Sequence, residues 1–153
     1  MPVVDADRRG VVAGLASGVV AGVVWYLIVL GTTSMQTYLI PAIGVGVSFG
    51  VYRATHRPGR RAAVISVVVT ALTVVVSLYY VERHLVVQWF SDNHDSISIP
   101  LVPYLNWFVE VLRHAYSKGP GQLLYSLIAL VAAWWFGMHG FEHQHPAQSG
   151  RQR

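Results

Sequence analysis

The chain has no cysteine in its 153 residues. That removes disulfides, thiolate nucleophiles and cysteine-bound metals together, and it leaves cysteine usage silent on redox compartment. Charge is scarce as well, at 12% Asp, Glu, Lys and Arg. Four stretches, roughly 11–31, 35–52, 62–80 and 121–138, contain no Asp, Glu, Lys, Arg or His at all. Each approaches the ~20 residues that a helix needs to cross the hydrocarbon of a bilayer. With 54% apolar residues and a mean hydropathy of +0.46, no length remains for a sizeable soluble domain. The expected fold is all-α: four transmembrane helices packed together in one small membrane domain.

What the spans lack excludes several functions. Ion-coupled transporters and proton relays need ionisable groups inside the membrane, and Glu82 and Arg83 are expected only where the third span leaves it. A broken-helix ligand site needs irregular backbone at midplane, whereas Pro41 falls near the start of the second span. Ser, His and Asp occur, but in no nucleophile-elbow or base-adjacent arrangement, so no enzyme and no cofactor is expected. Gly44-x-Gly46 is not a nucleotide fingerprint, because the glycine spacing is wrong and no βαβ unit surrounds it. The first apolar run is longer than a signal h-region and lacks a small-x-small cleavage site after it, which predicts that it is retained as a helix.

The basic residues are unevenly placed. Arg8, Arg9, Arg53, Arg57, Arg60, Arg61, Arg151 and Arg153 are eight of the eleven Lys/Arg, and four spans put them all on one side. The positive-inside rule makes that side the cytoplasm, with both termini in it. Arg83, Arg113 and Lys118 remain for the other side, against Glu82, Asp92, Asp95 and Glu110. The pI of 9.7 then reflects topology and affinity for anionic lipid, and nucleic acid is not the expected partner. The organisation that follows is a cytoplasmic segment 1–10, a membrane domain 11–138 and a cytoplasmic His-rich tail 139–153. Within the domain, 82–120 is the long external connection.

That connection carries its own helix. Val102, Leu105, Phe108, Val109 and Leu112 recur at helical spacing, with Asn106, Glu110, Arg113 and His114 elsewhere on the wheel. Trp89, Phe90, Tyr104 and Trp107 suit the headgroup level. The pattern predicts an amphipathic interfacial helix between spans three and four, either seating the helices or presenting a docking surface through Trp107, Glu110 and Arg113.

Small residues recur inside the spans. Gly14, Gly18 and Gly22 form a GxxxGxxxG run, and Gly46-x-x-x-Gly50 repeats the device in span two. Because lipid gives helices little hydrophobic reason to associate, such faces predict close packing, within the chain or with a second copy or another membrane protein. In span three, Ser66, Thr70, Thr73 and Ser77 form a hydroxyl stripe that packs against another helix or lines a wet groove. The small face Gln122, Ser126, Ala129, Ala133 and Gly137 is its natural partner. In the tail, His139, His143 and His145 with Glu142 have the donor types of a metal site, while a polar juxtamembrane tail is the simpler reading.

The run Tyr38–Gly50 leading into a basic turn, the pair Tyr79-Tyr80, and the run Leu123–Trp134 resemble an uncharacterised group of small bacterial four-span membrane proteins. The resemblance implies the four-helix fold and the bacterial plasma membrane, and it carries no site residues. Three functions stay open. The first is a non-enzymatic accessory or interaction subunit packing against itself or a larger membrane complex. The second is a homo-oligomeric pore, and the third is metal handling through the tail.

Overall fold

A computed structural model describes residues 3–32, 34, 36–92, 105–117 and 119–141. Among them the chain is all-helical: α1 (Val3–Thr32), a 3-10 turn (Thr37–Leu39), α2 (Ile40–Thr55), α3 (Arg60–Asp92), α4 (Leu105–Ser117) and α5 (Pro120–His139). Three of these, over Asp5–Thr32, Arg60–Asp92 and Pro120–His139, are long and apolar enough to cross a membrane. At 16 residues, α2 is shorter.

Local chemistry explains the ends. Helix α1 starts before the apolar run, and Asp5 in its first turn faces the positive end of the helix dipole. Pro41 sits in the first turn of α2, where its missing N–H costs nothing. The helix stops at His56, whose left-handed φ of 50° lets its N–H donate to the Tyr52 carbonyl at 2.7 Å. Gly59 then turns the chain, and its N–H donates to the Gly137 carbonyl at 3.0 Å, tying the arginine turn to the end of α5.

Four helices form a closed ring in which α1 neighbours α2 and α3, and α5 neighbours the same two. The contacts give each direction. Asp7 meets Arg61 and Gly18 meets Thr73, so α1 and α3 run parallel with a shared register. Gly14 meets Val51 and Gly18 meets Val47, so α1 and α2 are antiparallel. Helices α3 and α5 are antiparallel through Ala63–Gly137 and Glu82–Gln122.

The ring is inverted relative to a soluble protein. Val19, Val20, Leu27, Leu72, Leu127 and Val131 are each more than half exposed, while Gly18, Ser48, Ser66, Thr70 and Glu82 are buried. Such a wide aliphatic exterior is what lipid, not water, covers.

Two helices differ in extent from the apolar runs. The third continues past Tyr80 to Asp92, so residues 82–92 are an unbroken helical extension of the apolar run. No helix breaker lies between Tyr80 and Asp92, and Val81 and Glu82 are fully buried against the other helices. The second helix begins at Ile40, after the 3-10 turn, rather than at 35.

Candidate functional site

The glycine run of α1 is the seam of the ring. A Cβ on Gly14 would stand 2.8 Å from a Val51 methyl, and one on Gly18 would stand 2.5 Å from Thr73 Oγ1 and 3.2 Å from a Val47 methyl. At Gly22 it would meet Ser77 Oγ at 2.5 Å. The glycines therefore let α2 and α3 approach α1 within the chain, closer than any side chain would allow. Gly50 works the same way against Ser17 and the Ala13 carbonyl. Gly46 does not: its nearest neighbour is the Ala21 Cβ at an ordinary 3.7 Å. The spacing rule missed the tight approaches of Gly44 to the Ala129 backbone and of Gly10 to Thr55.

The hydroxyl stripe of α3 divides between two neighbours. Thr73 and Ser77 face the glycines of α1, and Thr73 Oγ1 donates to the Val69 carbonyl at 2.8 Å. Ser66 and Thr70 are fully buried in the ring. The small face of α5 is likewise shared: Gly137 abuts Ala63 of α3, while Ala129 abuts Gly44 and the Ala133 carbonyl accepts from Ser48 Oγ of α2 at 3.2 Å.

Two buried polar side chains, Glu82 and Gln122, meet toward the end of α3 that contacts α4. Glu82 is fully buried, and Gln122, 5% exposed, donates from Nε2 to Glu82 Oε1 at 3.4 Å. Sequence reasoning missed this contact, because the partner of Glu82 lies forty residues away on another helix and no local pattern announces it. Tyr79, one turn before, is also fully buried, and its ring lies 5.5 Å from that of Phe108 on α4.

Helix α4 is seated there by one face. Val111 and Ala115 are buried, and Leu112 and Tyr116 pack against the hydrophobic core. The seating face is thus turned from the expected one, since Val109 is 55% exposed. The opposite side presents Asn106, Glu110, Arg113 and His114 to the exterior. The Trp107 side chain lies outside the described residues.

No metal-holding cluster of His, Cys, Asp or Glu occurs among the described residues. His139 stacks on Trp135, with ring centroids 4.3 Å apart, and its Nδ1 lies 3.0 Å from the Trp135 carbonyl oxygen. His143 and His145 lie outside the described residues. Comparison with protein families, with curated proteins and with solved structures gives no match.

Proposed function

We propose that this chain is a small non-enzymatic integral membrane protein that acts as an accessory or interaction subunit, with the outward face of α4 as its docking surface. The observation that carries the reading is the two-sidedness of α4. Val111 and Ala115 fix it to α3 and α5, so Glu110 and Arg113 are held on a rigid support and exposed. Arg is among the residue types that contribute most at protein interfaces, because its planar fork forms charge-assisted hydrogen bonds when desolvated. The partner is another membrane protein or a second copy of the chain.

The same reading has four passes in a bacterial plasma membrane, with both termini inside. Three turn residues at ~2.0 Å and sixteen helical residues at ~1.5 Å give Thr37–Thr55 a reach of about 30 Å, enough to cross the hydrocarbon. The α4 surface is then extracytoplasmic and lies in the membrane interface, where a partner's outer loops are within reach.

The test is a pull-down from native membranes with the full chain and with a Glu110→Ala/Arg113→Ala variant. The variant is expected to insert and unfold like the wild type while recovering at least about tenfold less partner, a loss equivalent to ~1.4 kcal/mol. Equal recovery sinks the docking reading. Leakage of a fluorescent solute from liposomes, abolished by Thr70→Leu, would replace it with the pore.

A further inference from the structure

The outer surface of the α1–α3 seam is a groove. Gly18, Gly22, Thr73 and Ser77 form its floor, Val19 and Val23 stand on one wall and Leu72 and Val76 on the other, and its volume is about 480 Å³. We propose that this groove is a lipid-binding site that holds one acyl chain of a phospholipid from the leaflet remote from the arginine turn. The proposal rests on α1 and α3 crossing the bilayer and not on the docking role of α4.

Size decides the occupant. From Leu15 to Tyr26 the groove is about 16 Å long at ~1.5 Å per residue. One leaflet's hydrocarbon is ~15 Å, half of the ~30 Å core. A membrane-spanning partner helix needs a track along the full ~30 Å. A single acyl chain needs only the one-leaflet length that the groove offers.

Position decides the leaflet. On α3 the groove runs from Leu72 to Tyr80, which is about 16 to 29 Å beyond Arg61 along the axis. A ~30 Å core that begins at the arginine turn therefore has the groove in its far half. There Tyr26 and Tyr80 close the end, with Tyr26 edge-on to His84 at 5.9 Å, giving a polar rim where a headgroup begins. The floor suits a hydrocarbon occupant because Thr73 Oγ1 already donates to its own helix. A chain lying here has the floor and the two walls of the groove around it.

The test uses the full chain in vesicles of phosphatidylglycerol and phosphatidylethanolamine containing a trace of phosphatidylcholine with a photoreactive diazirine at mid-chain. After irradiation, labelled positions are mapped by mass spectrometry. Labelling within 15–26 and 72–80 is expected to exceed that at Leu124, Leu127 and Val131, which are exposed on α5, by about tenfold. Leu72→Trp and Val19→Trp fill the groove from opposite walls, and because both positions are more than half exposed neither disturbs the packed interior. Each should lower groove labelling to the α5 level with helicity and thermal unfolding unchanged. Equal labelling of groove and α5 face in the wild type overturns the site. Chain-to-chain cross-links at Val19 and Leu72, with lipid labelling suppressed, overturn it in favour of a second copy as occupant.

Discussion

At Gly18 the absence of a side chain is a structural requirement, since a Cβ would press on Thr73 and Val47 from two helices at once. Gly18→Leu should separate α1 from both and lower stability by about 3 kcal/mol, read as a fall in the thermal midpoint in detergent. Gly46 shares the four-residue spacing but not the crowding. Gly46→Ala should be neutral or raise stability by up to ~1 kcal/mol, because Ala is the better helix former and only a 3.7 Å contact is made. A matched loss in both variants would show that glycine spacing alone, and not close approach, sets the packing. Glu82 poses the complementary case of a polar group that must be satisfied. Glu82→Gln keeps an acceptor for Gln122 and should be mild, whereas Glu82→Ala strips Gln122 of it and should cost about 2 kcal/mol in the same measurement.

Among the elements, legibility followed the range of the forces involved. The apolar runs of α1, α3 and α5 were readable because a bilayer imposes one length and one composition on whatever crosses it. The full extent of α3 was not, because its continuation past Tyr80 packs through the burial of Glu82 beside Gln122, a long-range contact with no local signature. Helix α4 shows both behaviours. Its existence was visible in the periodic Phe108 and Leu112, yet its seating face depends on Tyr79 and the α3–α5 surface, which select Val111 and Ala115 over Val109. That seating is testable. Ala115→Leu places a large side chain at a fully buried contact and should release α4, increasing protease sensitivity at 105–117, while Val109→Leu at an exposed position should leave it unchanged.

For the whole molecule, the strongest physical regularity is the separation of charge. The arginine turn is fixed to the ends of α1 and α5 by Asp7–Arg61 at 3.7 Å and by the Gly59–Gly137 hydrogen bond, so the basic regions around residues 8 and 57 share one end of the structure. The α1–α2 turn at Ser34 and the end of α4 at Ser117 belong to the other end, because α1 and α3 run parallel away from the arginines. Among the described residues Arg8, Arg9, Arg53, Arg57, Arg60 and Arg61 stand at one end against Arg83 and Arg113 at the other, and the positive-inside rule predicts insertion with the basic end in the cytoplasm. The cysteine-free chain allows this to be read without background. Ser34→Cys and Ser117→Cys, both at exposed positions, should react with a membrane-impermeant maleimide in intact cells, and Arg57→Cys should react only after lysis. Arg57→Cys still leaves Arg8, Arg9, Arg53, Arg60 and Arg61 at that end, too many for the substitution itself to reverse insertion. Reaction of Arg57→Cys in intact cells, with Ser34→Cys and Ser117→Cys protected, would reverse the orientation. It would also move the exposed Glu110/Arg113 face into the cytoplasm, where its partner would have to be sought instead.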